Sequence, residues 1–141
     1  MRLAILALFL CTACKSPMLN VQTEYFGRND LASVIVDTPD PDKQEPIFGQ
    51  RLYISWKLSK EQFADKPIAL FCQVKLKKGQ LIEKRVPLTK ASGTYIFPIV
   101  GPDYTQKGGL LSYQIKLMTG DIVISTSRHK FWVDEIKIQD L

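Results

Sequence analysis

Few side chains in this sequence could support catalysis, and they are scattered along the chain. His129 is the only histidine, so any histidine-dependent triad or general base would have to use it. It lies in the charged segment SRHK, which is typical of an exposed loop histidine. Cys72 could be a nucleophile, but it alternates with apolar residues, and a thiol buried in a core stays protonated and inert. The sequence therefore predicts no catalytic residues, and an enzyme is the least favoured interpretation.

A group of carboxylates is the one candidate for metal binding. Oxygen ligands of this kind can share a Ca²⁺ ion in extracellular modules, but the spacing is not that of an EF-hand. Three prolines fix the backbone of the segment independently of any ion. We interpret the group as a solvated acidic loop, and we predict no metal and no cofactor. Its members are Asp37, Asp40, Asp42 and Glu45.

The charged run between residues 75 and 90 is the most conspicuous surface feature. It contains six basic residues against one acidic residue, Glu83. Such a hairpin could contact anionic head groups. Alternatively, the lysines protect the edge of a sheet from pairing with another chain. Both interpretations stay open, and the candidate contact residues are Lys75, Lys77, Lys78, Lys84 and Arg85, with Lys90 completing the run.

The composition is that of an ordinary globular domain. Apolar residues make up 45% of the chain and charged residues 23%. The formal net charge of +5 is mildly basic, so it favours an anionic surface or an acidic partner but is too small to indicate nucleic-acid binding.

The first 14 residues have the pattern of an export signal. Arg2 precedes the unbroken apolar run Leu3–Leu10, which is long enough for a secretory signal and too short to span a bilayer. Thr12, Ala13 and Cys14 follow at once. These three residues resemble the lipobox of Gram-negative bacterial lipoproteins, although Cys11 stands where leucine is usual.

The lipobox resemblance implies cleavage between Ala13 and Cys14 and transfer of a diacylglycerol to the Cys14 sulfur, with acyl chains such as palmitate. Lys15, rather than aspartate, follows the acceptor, which favours the outer membrane over the inner membrane. Only Cys72 would then remain as a free thiol, so an intramolecular disulfide is not expected. The expected location is the cell envelope, on the periplasmic or surface side.

The rest of the chain has the two-residue period of strands. In Gln50–Leu58 the apolar residues share one face, and Pro67–Lys78 repeats the pattern. A capping box at Ser59–Gln62 predicts a helical turn, and Gly120 predicts a hairpin. Pro87 predicts an edge strand, and Pro98 predicts a strand that is either at an edge or bulged. Earlier in the chain, the sequence predicts a strand at Ser33–Asp37 and a turn region at Thr38–Pro46. Near its end, it predicts final strands at Ile122–Ser127 and Lys130–Ile138. The strand before these has a predicted inward face of Leu111, Tyr113, Ile115 and Leu117.

These elements predict an all-β fold, an antiparallel two-sheet sandwich of seven or eight strands. The placement of Trp56 and Tyr113 resembles that of immunoglobulin-like domains. We expect a signal peptide at 1–13, a lipid-anchored tether at 14–32, within which Met18–Phe26 could dock as a strand, and a β-sandwich domain at 33–141.

The expected function is that of a lipid-anchored lipoprotein with a non-catalytic binding or structural module. Its partners would be the membrane, through the lipid, and a protein of the envelope, with Tyr25, Phe26 and Tyr104 as candidate contact aromatics. An alternative is a chaperone lipoprotein similar to the pilotins, which assist secretion or envelope complexes.

Overall fold

The computed structural model of the protein describes residues 17–27, 48–64 and 66–134. Within these ranges the chain forms seven strands and two short helices. The strands are β1 (Leu19–Phe26), β2 (Gly49–Lys57), β3 (Ile68–Leu76), β4 (Leu81–Pro87), β5 (Ser92–Val100), β6 (Leu110–Thr119) and β7 (Ile122–Arg128); the helices are α1 (Lys60–Ala64) and α2 (Pro102–Thr105). The signal segment, Cys14, the Ser33–Asp37 strand, the Thr38–Pro46 turn and the acidic cluster lie outside the described residues.

The strands form two antiparallel sheets, so the predicted two-sheet sandwich is confirmed. One sheet has the order β1-β2-β5 and the other the order β4-β3-β6-β7. In a constant-type immunoglobulin domain the fourth strand belongs to the sheet of the first, second and fifth strands. Here β4 instead pairs with β3, in register from Ala69↔Pro87 to Lys75↔Leu81.

Alternating side chains of the two sheets fill one core, as the period-two pattern predicts. Leu52 and Ile54 of β2 meet the inward residues of β3 and β6 between the sheets. The strand that the sequence allowed within the tether is also present, because β1 pairs with β2 along its whole length and buries Leu19. The fully buried members of the core include Leu52, Ile54, Leu70, Cys72, Val74, Leu76, Ile115 and Leu117.

Several local predictions are confirmed. The Ser59 hydroxyl accepts a hydrogen bond from the Gln62 N–H at 3.2 Å, and the Gln62 amide oxygen accepts one from the Ser59 N–H at 2.9 Å. This reciprocal pair is the capping box that starts α1. Gly120, at φ 57°, forms the β6–β7 turn. Pro87 and Pro98 lie on β4 and β5, which are edge strands of their sheets.

Two predictions about the last strands are wrong. Leu111 is 47% exposed because the β3–β6 ladder slips by one residue: Lys75 faces Ser112, whereas Leu76 faces Leu110. The extra residue turns Leu111 outward. Residues 130–134 do not continue as a strand, because the Trp132 N–H closes a turn on the His129 carbonyl.

The two ends of the sandwich differ in their side chains, and we name them the basic end and the aromatic end. The basic end comprises Met18, the end of β2, α1, the start of β3, the 88–91 connection and the 119–122 turn; the Met18 carbonyl accepts a hydrogen bond from the Lys57 N–H there. The aromatic end comprises the end of β1, the start of β2, the 77–80 turn and the 101–109 loop, where the Lys77 N–H donates to the Gly109 carbonyl.

Candidate functional site

An arginine between two aromatic rings marks the outward face of the three-stranded sheet, beside the aromatic end. The Arg51 guanidinium carbon lies 5.1 Å from the centre of the Phe26 ring and 5.2 Å from that of Tyr53. The Arg51 Nε also donates to the Glu24 carboxylate at 3.0 Å. Cation–π contacts and the ion pair therefore hold the guanidinium beside these rings. This Arg51 cluster, of Glu24, Phe26, Arg51 and Tyr53, is the densest group of interacting charged and aromatic side chains on that face.

The β1–β2 ladder positions the cluster. Alternate residues of an antiparallel pair share one face, and Glu24 pairs with Arg51 while Gln22 pairs with Tyr53. Gly49 pairs with Phe26, and a Cβ at position 49 would come within 2.5 Å of the Ile99 carbonyl oxygen and 3.3 Å of the Phe26 ring. A glycine is therefore needed where β1, β2 and β5 meet under the Phe26 ring.

The Tyr53 hydroxyl is coupled to the same carboxylate. A hydrogen bond with Glu24 raises the pKa of Tyr53, and partial burial raises it further, while the nearby Arg51 charge acts in the opposite direction. The phenol is therefore protonated at neutral pH and stays a hydrogen-bond donor in this cluster.

Further aromatic side chains lie at the same end of the sandwich as the Arg51 cluster. Tyr25 pairs with the buried Gln50, so it is on the opposite face of β1 from Glu24 and Phe26. Tyr25 is 68% exposed and Phe48 is 52% exposed. The Phe48 ring lies against Gly27, and Tyr104 packs, half-buried, on the rim of the core. The three contact aromatics predicted from the sequence, Tyr25, Phe26 and Tyr104, thus all lie at this one end.

A buried glutamine fixes the base of the 101–109 loop at this end. The Gln50 amide oxygen accepts a hydrogen bond of 2.7 Å from the Leu110 N–H and so joins β2 of one sheet to β6 of the other. A Cβ at Gly109, where φ is 73°, would collide with that oxygen. Within the loop, the Thr105 hydroxyl donates to the Gly101 carbonyl, and Lys107 pairs with Asp103 at 3.0 Å. These contacts give the 101–109 loop a defined conformation at the aromatic end.

The predicted basic run does not form one surface. Lys77 and Lys78 occupy the 77–80 turn at the aromatic end, whereas the Arg85 side chain reaches the Gly120 carbonyl at 3.4 Å, near the basic end. Lys75 lies on the outward face of the four-stranded sheet, donates to the Val133 carbonyl and stacks at 4.6 Å over Trp132. The run is contiguous in sequence but divided in space.

Lys84 is exposed, but it pairs with Cys72 and so lies on the core-side face of the edge strand β4. Its ammonium lies 5.4 Å from the centre of the Tyr95 ring on β5, and a hydrogen bond with Tyr95 raises the pKa of Lys84. A charge on this face, between two edge strands, discourages pairing with another sheet. The position of Lys84 therefore agrees with the interpretation that the basic residues between 75 and 90 protect the edge of a sheet.

A second group of lysines gathers at the basic end. Lys57 ends β2, Lys60 starts α1 and Lys66 precedes β3, while Lys90 lies in the 88–91 connection and accepts the Trp56 indole N–H on its carbonyl. All four lysines are exposed, and none of them is in an ion pair within the described residues. Glu61 and Asp121 are the acidic residues described at this end.

The residues suited to catalysis do not meet. His129 is half-buried between the Tyr113 and Phe131 rings, with ring centres 5.5 Å and 5.3 Å away, rather than in an exposed loop. Cys72 is fully buried in the core, where burial raises the pKa of its thiol to about 11. Across residues 17–27, 48–64 and 66–134, no three His, Cys, Asp or Glu side chains are grouped to hold a metal ion.

No known protein family, curated protein or solved structure matches this chain. The helices of the described ranges are also too short and too polar for any of them to cross a membrane.

Sequence reasoning missed two groups. Arg51, Glu24 and Tyr53 come from two strands, and their meeting depends on the β1–β2 register, which the sequence did not specify. The lysines of the basic end are spread over residues 57–90 and are brought together only by the order of the strands. The alternation of outward residues along β1 and β2 could have indicated that Glu24, Arg51 and Tyr53 share a face. No feature of the sequence could have indicated that the lysines of the basic end lie together.

Proposed function

We propose that this protein is a lipid-anchored lipoprotein of the bacterial envelope that acts as a non-catalytic binding module. In this proposal, Cys14 carries the lipid, and the aromatic end holds a protein partner. The observation that carries the binding role is that the Arg51 cluster and the exposed Tyr25 and Phe48 lie at the same end of the sandwich. Arginine and aromatic residues are the types that dominate protein–protein interfaces, and aromatic rings lose little side-chain entropy on binding.

The chain order supports a free aromatic end. Cys14 lies just before Met18, which is at the basic end, whereas Phe26 ends β1 at the other end. A lipid on Cys14 would therefore leave the aromatic end away from the attachment point. The chaperone alternative needs an open apolar groove, but the inward side chains of both described sheets pack against each other, so no observation favours it.

The lipid part of the proposal is tested by mass spectrometry of the N-terminal peptide of protein extracted from membranes. We expect the peptide to begin at Cys14 and to carry a diacylglycerol mass, and Cys14→Ala to leave the protein out of the membrane fraction. An intact Met1, or an unmodified Cys14, would overturn it.

The binding part is tested by photo-crosslinking in intact cells, with benzoylphenylalanine in place of Tyr25 or Phe48. We expect both positions to give the same single adduct. Asn20 is the control position, because it lies on β1 at the opposite end. The adduct should be lost in Arg51→Ala and kept in Arg128→Ala, which removes an exposed arginine of β7 that pairs with Asp134 at 3.8 Å.

Removal of Arg51 should not unfold the domain, because an exposed ion pair contributes about 1 kcal/mol or less. An interface arginine at a hot spot, in contrast, contributes about 2 kcal/mol or more to binding. An equally strong adduct at Asn20, or an adduct that survives Arg51→Ala, would contradict the assignment of the aromatic end.

A further inference from the structure

The connection between Cys14 and the sandwich is very short. The first ladder contact of the chain is the hydrogen bond of 2.9 Å from the Lys57 N–H to the Met18 carbonyl. Only residues 15–17 separate Met18 from Cys14. Four chain steps of at most about 3.6 Å each span about 14 Å, so a lipid on Cys14 would bring the bilayer within that distance of the basic end.

The surface nearest to that attachment point is basic. Lys57 is the residue bonded to Met18, and Lys90 lies in the connection beside it, since the Leu58 N–H donates to the Ala91 carbonyl. Lys60 and Lys66 flank α1 at the same end. Four exposed ammonium groups stand against two described carboxylates there, Glu61 and Asp121, and the sequence adds Asp65 directly before Lys66.

We propose that the basic end is a binding surface for anionic phospholipid head groups, formed by Lys57, Lys60, Lys66 and Lys90. The inference rests on the proposed lipid anchor, which supplies the proximity, while the lysines supply the attraction. A basic residue near an anionic bilayer favours the bound orientation about fivefold. Because the tether keeps the surface within reach, the chain pays little further entropy to dock.

The opposite end cannot make the same contact at the same time. An eight-residue strand such as β1 is about 26 Å long, so Lys77 and Lys78 lie several Debye lengths from a bilayer at the basic end. These two lysines are therefore a matched control: they carry the same charge on the same domain but lie at the wrong end.

The test is hydrogen–deuterium exchange of the full acylated protein in vesicles of phosphatidylcholine, with and without phosphatidylglycerol. We expect slower exchange in residues 57–66 and 88–91 on the anionic vesicles only, and no change at 77–80. Lys57→Gln, Lys60→Gln, Lys66→Gln and Lys90→Gln together should remove the protection, since each lowers the bound population about fivefold. Lys77→Gln with Lys78→Gln should leave it intact.

Protection that is equal on neutral vesicles, that appears at 77–80 instead, or that survives the fourfold substitution would overturn the proposal. A failure of the anchor itself is recognised separately, from an unmodified Cys14 in the peptide mass. In that case Cys14 is coupled to a maleimide lipid in a Cys11→Ser chain, which restores the tether, because Cys72 is buried and unreactive. If the coupled protein shows no protection on anionic vesicles, the proposed head-group surface is contradicted, independently of the proposed lipid anchor.

Discussion

The basic end and the aromatic end share one core but have different side chains. At the basic end, four exposed lysines come from the end of β2, the β2–β3 connection and the 88–91 connection. The aromatic residues Trp56 and Phe63 are half-buried there, and Trp56 folds over Gly93 with its indole N–H bonded to the Lys90 carbonyl. At the aromatic end, Tyr25 and Phe48 are exposed, and the Arg51 cluster lies on the outward face of the three-stranded sheet. The first end is suited to a diffuse anionic surface, and the second to a specific protein contact.

The two ends would also have different surroundings, because the chain enters the sandwich at the basic end. β1 starts at the basic end and finishes at the aromatic end, so an anchor at Cys14 assigns one end to the membrane and the other to a partner. The segment 14–32 that the sequence assigns to the tether contains β1, which leaves only residues 14–17 ahead of the hydrogen bond from Lys57 to Met18. We infer a domain that sits close to the bilayer rather than one that stands away from it.

The largest effect is expected from the core that joins the two ends. Leu52 is fully buried between the sheets, so Leu52→Ala should lower the free energy of unfolding by about 2–5 kcal/mol through lost burial and a cavity. Urea denaturation measures this loss. Amide exchange should rise at both ends together; a rise at one end only would show that the ends do not share a single core.

Alkaline pH should also weaken both ends together. The pKa of the Cys72 thiol is raised from 9.0 to about 11 in the folded protein, so between these values the unfolded chain loses a proton that the folded chain keeps. The free energy of unfolding should therefore fall as pH rises, by at most about 1.4 kcal/mol per unit for this group. Burial raises the pKa of Tyr113 too, which adds to the fall with the same sign.

Urea midpoints at about pH 8 and about pH 10 give the slope. Cys72→Val keeps the core filled and should reduce that slope. A slope that is the same in this variant would contradict the assigned role of the thiol.

Gln50→Leu should loosen the aromatic end alone. The substitution removes the acceptor of the Leu110 N–H, and an unpaired buried donor costs about 1–3 kcal/mol. We expect faster amide exchange in residues 101–110, weaker crosslinking at Tyr25 and unchanged head-group protection at 57–66. Loss of that protection would show that the two ends are not independent.

Ser59→Ala is the converse change at the basic end and the smallest expected effect. It removes the hydroxyl that accepts the Gln62 N–H, which costs about 1 kcal/mol for a helix cap. Exchange should rise in residues 60–64, while crosslinking at Tyr25 stays the same. A reduced crosslink would mean that α1 supports the aromatic end.

The sequence predicted the sandwich because its strands have a clear period of two, and it predicted the buried Cys72 and the Ser59 cap because both depend on neighbours in sequence. It misplaced Leu111 because one bulge opposite Leu76 reverses the face of the next residue. It treated residues 75–90 as one basic surface because contiguity along a chain does not show that Lys84 lies on the core-side face of β4 and Lys77 lies at an end. The lysines at the basic end required the strand order, which local patterns do not encode.

The orientation of the domain on a bilayer is the most direct test. A fluorophore is attached at Glu61→Cys or at Gln80→Cys on the acylated protein in anionic vesicles that contain a nitroxide-labelled lipid head group; Cys72 is buried and does not compete. The account predicts strong quenching at position 61, at the basic end, and weak quenching at position 80, at the aromatic end. Equal quenching at both positions, or stronger quenching at position 80, would contradict it.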